Sequence, residues 1–183
     1  MLITEWMQKI SDHNEKAPKT PVTFLYGDGS QYSYATDTFV IIAAKGIAFP
    51  SSGFQEGAQE VAKTAWNFLS SPLVLAQGKI DVAMLRELIR EPDWDPDRQI
   101  ETEYFLVKGV PFSTSVVARA IAGWPTPLAR MHLYQWAKGK KKGHAMVLLS
   151  DQDVIAIIAS FEDRIKEDTS ATKVDVPDLV FLP

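Results

Sequence analysis

The chain has no cysteine among its 183 residues, and it has only three histidines, His13, His132 and His144. Without cysteine there can be no disulfide bond, no thiol nucleophile and no thiolate metal site. The histidines do not stand in the HxxxH or HExxH spacing of zinc enzymes. We therefore expect a protein that is not an enzyme and that has no catalytic residue, metal ion or cofactor.

Long apolar runs and an excess of positive charge are also missing. No stretch is apolar for long enough to span a bilayer, and the N-terminus has no basic segment followed by an apolar run. We expect a soluble, cytoplasmic protein without a membrane partner. The 19 basic and 23 acidic residues give a net charge of −4. Such a chain does not bind nucleic acid over its whole surface, so any DNA contact must be local.

The length of the chain and its 46% of hydrophobic residues indicate one domain with a well-buried core. The predicted elements indicate an α+β fold, in which two units of one helix and three strands are joined by two connecting helices. The predicted divisions are repeat one at 1–49, a helical connection at 50–98, repeat two at 99–161, and a mobile segment with a docking tail at 162–183.

Repeat one begins with an amphipathic helix, because apolar residues recur at helical spacing from Leu2 to Ile10. Alternating residues over 22–26 and 31–35, separated by a glycine-rich turn, predict a hairpin. The apolar run that follows, 39–44, is short and rich in β-branched residues. This composition is typical of a strand buried on both faces.

The helical connection is predicted to contain a long amphipathic helix over 54–69. A second helix is capped by Asp81, with a hydrophobic staple between Ile80 and Leu85. A strand over 103–109 then leads into repeat two.

Repeat two is predicted to start with a helix that Ser113 caps and that ends near Trp124. The hairpin tip of this unit is expected at 139–143. The three strands of its antiparallel meander are predicted over 131–136, 145–150 and 154–161.

The two units share a short stretch of sequence. Asp37–Ala43 and Asp153–Ala159 match at the aspartate, at two isoleucines and at the alanine without a gap. Buried strands in general are made of Ile, Val and Ala, so the match gains its force from the same order of elements around it. A duplicated helix and meander has a physical logic, because pairing two units buries the apolar face of each sheet.

Several short stretches resemble a known family. Ala35-Thr36-Asp37 is similar to the "ATD" turn between strands in sliding DNA clamps of the bacterial polymerase III beta-subunit type. Gly109–Phe112, Leu149–Asp151 and Ile155–Ala159 resemble the start of the helix and the closing strands of a clamp repeat. Small proteins with one such domain are familiar from bacteriophages. The resemblance implies a clamp-like fold along or around duplex DNA, with the unit helices facing the phosphates.

The same resemblance implies a platform for replication enzymes that acts through protein or DNA contacts. One domain per chain would have to form a homo-oligomer to make a ring. The alternative is a phage-type interaction or inhibitor protein that binds a host protein and has no DNA role.

The candidate nucleic-acid contacts are basic residues of repeat two. They are Lys138, Lys140, Lys141, Lys142 and His144 around the hairpin tip, with Arg119 and Arg130 in or after the helix. Trp136 and Tyr134 are close enough in sequence to stack on bases. The alternative is a hairpin tip that lysines merely keep soluble.

Two other polar groups are expected to be structural. Asp93, Asp95 and Asp97 alternate as in a calcium loop, but Arg98 stands where that loop needs Gly. We expect a turn there and no metal site. Ser113–Ser115 stand at a helix start, where hydroxyl groups cap backbone N–H groups instead of acting as nucleophiles.

The C-terminal tail regains apolar character after a polar segment, 166–173, that we expect to be mobile. Leu179, Val180, Phe181 and Leu182 form the candidate partner-docking tail. Its Asp-Leu-x-Phe spacing resembles the short peptides by which partners dock on bacterial clamps. The alternative, which we favour, is that the tail pairs with a sheet edge of repeat one, within the chain or between subunits.

Overall fold

The computed structural model describes residues 1–13, 20–25, 27–49, 73–89, 103–138, 141–162, 171–177 and 181–182. The helices in this part are α1 (Ile3–Asp12), α2 (Val82–Leu88) and α3 (Thr114–Ile121). The strands are β1 (Val22–Leu25), β2 (Gln31–Thr36), β3 (Val40–Lys45), β4 (Val74–Asp81), β5 (Glu103–Val107), β6 (Val110–Ser113), β7 (Leu128–Lys138), β8 (Lys141–Leu149), β9 (Val154–Ala159), β10 (Thr172–Lys173) and β11 (Phe181–Leu182). The predicted α+β class is confirmed.

Most strands belong to one antiparallel sheet of eight, in the order β1-β2-β3-β9-β8-β7-β4-β11. A smaller sheet has the order β10-β5-β6. No helix in the described part of the chain is long and apolar enough to cross a membrane.

The core lies between the large sheet and the helices. Alternate residues of the strands, such as Ile42 on β3 and Met131 on β7, join the buried side of α1 and nearly all of α3 in one apolar cluster. Trp6 on α1 connects the helices. Its indole N–H donates to the Arg119 carbonyl at 2.8 Å, and its ring meets Trp124 edge to face at a centroid distance of 6.4 Å.

Caps predicted from the sequence are present at both later helices. The Asp81 carboxylate accepts from the Met84 backbone N–H at 2.9 Å, and the Ser113 hydroxyl accepts from Val116 N–H at 3.4 Å. Arg86 on α2 donates to the carbonyls of Ile121 and Trp124 at the end of α3, at 2.8 and 3.2 Å. A cation there also complements the negative end of the helix dipole.

Two strands that precede the C-terminal tail were not predicted. β4 lies in the segment expected to be a helical connection, and that prediction is wrong over Val74–Asp81. β6 occupies Val110–Ser113, where the sequence indicated only the approach to a helix. Lys108 and Gly109 have φ of 49° and 83°, which makes the tight hairpin turn between β5 and β6. The helix predicted over 54–69 and the loop at 93–97 lie outside the described residues.

The centre of the large sheet is symmetric about the ladder of β3 and β9. Val40 pairs with Ile158, Ile42 with Ala156, and the ladder ends at the pair of residues 44 and 154. The two strands have the same order of buried and half-buried residues up to their last position. On either side the order is mirrored, since β2 and β1 follow β3 while β8 and β7 follow β9.

The burial patterns of β3 and β9 match when Val40 is aligned with Val154, which differs by two residues from the alignment of the two sequence stretches. Val40 and Val154 occupy matching places, whereas the aligned Asp37 and Asp153 do not: Asp37 is buried, and Asp153 is exposed with φ of 55°. Ser150 has the role in its turn that Asp37 has in the other. Asp37 accepts from the N–H groups of Phe39 and Val40 at 2.9 and 2.8 Å. The Ser150 hydroxyl accepts from those of residues 152 and 154 at 3.1 and 3.0 Å.

The C-terminal tail pairs with both sheets. β10 lies parallel to β5, so Thr172 and Lys173 are paired, although we expected a mobile segment there. β11 pairs antiparallel with the end of β4. The tail therefore adds to the edge beside repeat two, and not to repeat one as predicted from the sequence. Val176 and Phe181 pack against the core cluster and anchor the tail.

Removing the residues after Lys173 is expected to lower the free energy of unfolding by about 1–2 kcal/mol, because the partial burial of Val176 and Phe181 is lost. Thermal unfolding followed by circular dichroism measures the change. The full-length variant Asp175→Ala is the control, since its side chain is exposed and only joins an exposed ion pair. An unchanged melting temperature in the truncated chain contradicts anchoring by the tail.

Candidate functional site

The basic end of the β7–β8 hairpin is the most highly charged feature predicted from the sequence. Lys138 and Lys141 form the last pair of the β7–β8 ladder, and residues 139 and 140 lie outside the described residues. The predicted tip at 139–143 is too long, because Lys142 and Gly143 belong to β8. Lys142 is exposed. The lysines thus stand at the end of a regular two-stranded ribbon.

The indole ring of Trp136 on β7 packs against the neighbouring strand β8 of this ribbon. It pairs with Gly143, and a Cβ built on that glycine would lie 2.4 Å from Trp136 Cζ2. The glycine is therefore needed for close packing of the indole ring. Trp136 is half-buried and lies two residues before Lys138 on β7, so a partly exposed aromatic side chain is close to the lysine pair.

His144 is largely shielded from solvent by its contacts with the end of β9 and with Glu162. Its Nδ1 lies 2.7 Å from Glu162 Oε1, an ion-pair contact when the ring is protonated, and its side chain is only 17% exposed. The backbone N–H of His144 donates to the Ser160 hydroxyl at 3.3 Å, and its carbonyl accepts from Ser160 N–H at 3.0 Å. These contacts tie β8 to the end of β9.

Arg119 is a structural cation. Its Nε lies 3.1 Å from Asp37 Oδ2, and the two side chains are 12% and 2% exposed. Because a charge in such a place needs a partner, the guanidinium serves the joint between α3 and the β2–β3 turn. It does not present itself to a ligand at the surface.

Arg130 lies on strand β7, next to a cation that the sequence did not connect with it. It is exposed and directly opposite Lys79 on β4, which is exposed as well. The next pair on the same side is Gln77 with His132. Lys79 was missed because β4 was not predicted. Alternation of Gln77, Lys79 and Asp81 is the signal that could have found it.

His132 lies on the side of β7 opposite to Met131 and Leu133. Met131 and Leu133 belong to the core, whereas His132 packs beside Tyr134 with Nδ1 3.1 Å from the phenol oxygen. Burial and, to a smaller extent, the charge of Arg130 lower the pKa of His132. Burial raises the pKa of Tyr134. Both rings are therefore uncharged at neutral pH.

The remaining candidates are the possible metal ligands, the hydroxyl groups at the start of α3 and the C-terminal tail, and some of these residues lie outside the described part of the chain. Among the described residues there is no group of three His, Asp or Glu side chains that could hold a metal ion. Ser113, Thr114 and Ser115 are buried at the start of α3. Phe181 and Leu182 form β11, and Leu179 and Val180 lie outside the described residues.

No model of a known protein family matches the chain, and a search of curated proteins finds no match either. The resemblance to sliding clamps therefore depends on the short sequence motifs alone.

Proposed function

We propose that the chain is a non-enzymatic clamp-like protein, which acts as a DNA-associated or replication-associated platform through contacts with DNA or protein. The observation that supports it is the mirrored centre of the large sheet. On one side, α1 is followed by three strands that end with β3. On the other side, α3 is followed by three strands that end with β9, and both helices pack on the same core. This arrangement supports a duplicated, clamp-like plan. The functional step from that plan is an analogy between folds.

DNA contact through the unit helices is disfavoured. All residues of α3 are buried except Arg119, which is half-buried and paired with Asp37. The exposed side chains of α1 include Glu5 and Asp12 against Lys9 alone. Phosphates require positive charge for binding, so the basic ribbon of β7 and β8 is the better place for the contact.

Replacing Lys140, Lys141 and Lys142 by alanine is expected to weaken binding of labelled duplex DNA and to reduce the slope of log K against log salt by about 2–3. Fluorescence anisotropy from about 50 to 200 mM salt measures both quantities. The matched control replaces Lys9, Lys108 and Lys173, which are exposed elsewhere, and should leave the slope nearly unchanged. No binding of duplex by the unmodified protein at low salt would remove the DNA role.

The second candidate is a phage-type protein that binds a host protein without contacting DNA. The net charge of −4 and the acidic exposed side of α1 favour it. Affinity purification from the native host separates the two functions, because replication enzymes or DNA in the eluate indicate the first.

Oligomeric mass is the simplest test of a ring. In the described part, β11 already covers one end of β4, while β1 is the open edge of the same sheet. Ring closure by edge pairing would have to use the part of β4 that β11 leaves free. Light scattering distinguishes a multiple of 20.4 kDa from the monomer, which cannot form a ring.

A further inference from the structure

A second apolar cluster, named here the outer cluster, lies on the face of the large sheet that is turned away from the helices. Half-buried side chains such as Phe24 on β1 and Val74 on β4 extend it towards both sides of the sheet. Its buried members come from β2, β3, β7, β8 and β9, and they are Tyr34, Ala43, Tyr134, Ala145, Val147 and Ile157.

The outer cluster is shielded from water, although it consists of sheet residues alone. Every described member is on a strand of the large sheet, whereas the described helices and the strands β5 and β6 contribute to the other cluster. Val147 is 0% exposed, Ile157 3% and Tyr134 5%. Neighbours on the same face shield only the flanks of a side chain, so a sheet face open to water leaves such large side chains partly exposed. A further apolar layer is needed to bury them.

Residues 50–72 connect opposite sides of the outer cluster. Before them, Phe49 N–H donates to the Thr23 hydroxyl on β1 at 3.0 Å. After them, the Leu73 carbonyl accepts from Gln135 N–H on β7 at 3.2 Å, next to the start of β4. β1 and β4 have five strands between them, so the connection covers about 29 Å. In the described part β1 is the open edge of the sheet, which leaves room for the chain to pass round it to the outer face.

The sequence of this connection is that of a helix with one apolar side. Most apolar residues of 54–69 fall within about one third of the helix circumference, at Phe54, Ala58, Val61, Ala62, Ala65, Phe68 and Leu69. Glu56, Glu60 and Asn67 fall on the opposite side. A helix over this range is about 24 Å long, so it spans most of the distance from β1 to β4, and the flanking residues supply the rest.

Other stretches outside the described residues fit the outer cluster less well. Residues 90–102 follow Ile89, which belongs to the cluster under the helices, and lead into β5, which contributes to that same cluster. Residues 163–170 have Ile165 as their only large apolar side chain, and residues 14–19 have none. The connection between β3 and β4 is therefore the part of the chain with the length, the ends and the apolar side that the outer face requires.

We propose that residues 54–69 form a helix that lies across the outer face of the large sheet and buries the outer cluster, so that the sheet lies between two helical layers. The face is then occupied by the chain itself and is not a surface for DNA or for a protein partner. Contacts of either kind are left to the sheet edges, the β7–β8 hairpin and the exposed side of α1. This inference does not rest on the proposed DNA contact, and it holds for either candidate function.

The test places a single cysteine on either face of β3, in a chain that has no other. Ala43→Cys reports on the outer cluster and Ala44→Cys on the cluster under the helices, and both side chains are buried. Val61→Asp, in the apolar side of the proposed helix, is expected to raise the rate at which a maleimide labels the Ala43→Cys thiol by about 10-fold or more, because local opening exposes that face. The rate at the Ala44→Cys thiol should change less than threefold or so.

Asn67→Asp is the matched control. It adds the same charge on the polar side of the proposed helix and should leave both labelling rates unchanged. If Val61→Asp leaves the Ala43→Cys thiol protected, the segment does not cover this face and the proposal is overturned. If dilution alone exposes that thiol while Val61 is present, a second copy of the chain covers the face, and the proposal is overturned as well.

A milder substitution keeps the test decisive where Val61→Asp exposes both thiols through loss of the whole fold. Val61→Ser is expected to expose the Ala43→Cys thiol at a lower urea concentration than the Ala44→Cys thiol, because the outer layer opens before the core under the helices. Exposure of both thiols at the same urea concentration in this variant would show that no separate outer layer exists, and would overturn the proposal.

Discussion

Replacing Asp37 by alanine is expected to lower the free energy of unfolding by about 3–5 kcal/mol. The substitution removes the carboxylate that lies 3.1 Å from the nearly buried guanidinium of Arg119. It also removes the acceptor for the backbone N–H groups of Phe39 and Val40, which hold the β2–β3 turn. Urea unfolding at neutral pH measures the change.

Two further variants separate the contribution of the charge from that of the backbone hydrogen bonds in the turn. Asp37→Asn keeps an oxygen that can accept from the backbone and loses the charge, so it should recover part of the stability of the alanine variant. Arg119→Met in the Asp37→Asn background removes the cation that has lost its contact with a carboxylate, and should recover more. A loss below about 1 kcal/mol in Asp37→Ala would mean that solvent reaches Arg119 and that the joint is not held by this pair.

This joint explains why one predicted DNA contact was misplaced. In the sequence, Arg119 looks like a surface cation because it falls between the apolar positions that form the buried side of the predicted helix. Its partner is 82 residues earlier, in a turn of the other unit. No local pattern predicts a contact of that separation, since it exists only once β3 and β9 are paired.

The elements with a clear period were predictable from the sequence. α1, α3 and the meander of β7, β8 and β9 follow from the 3.6-residue and two-residue spacing of apolar side chains, and the caps Asp81 and Ser113 follow from helix-start chemistry. These features depend on neighbours in the chain, so the sequence alone carries them.

β4 and β6 were missed for another reason. β4 carries Gly78 and exposed residues at alternate places, and it is a strand because β7 and β11 pair with it. β6 has only four residues and includes Pro111, which disfavours a strand. A partner distant in the sequence decides β4, whereas β6 pairs with β5, its neighbour in the chain. The pair of Lys79 and Arg130 could not be predicted, because it exists only across the β4–β7 ladder.

Gly123→Ala is expected to destabilise the protein by about 1–3 kcal/mol or more, through overpacking at the contact between α1 and the end of α3. A Cβ on Gly123 would lie 2.4 Å from both Cβ and Cγ of Trp6. Because these atoms are next to the backbone of α1, no rotation of the indole relieves the clash. The helix itself must shift, which disturbs the indole hydrogen bond to the Arg119 carbonyl and the contact with Trp124.

Two glycines provide matched controls for that substitution. Gly27→Ala meets nothing within 4 Å and should be neutral. Gly143→Ala also meets an indole at 2.4 Å, but at Cζ2, the far end of a half-buried Trp136 that can rotate. It should therefore cost less than Gly123→Ala. Thermal unfolding with tryptophan fluorescence ranks the three variants, and equal melting temperatures for Gly123→Ala and Gly27→Ala would contradict close packing of α1 on α3. Since α1 and α3 lie far apart in the chain, that ranking measures how firmly the N-terminal helix is joined to the rest of the core.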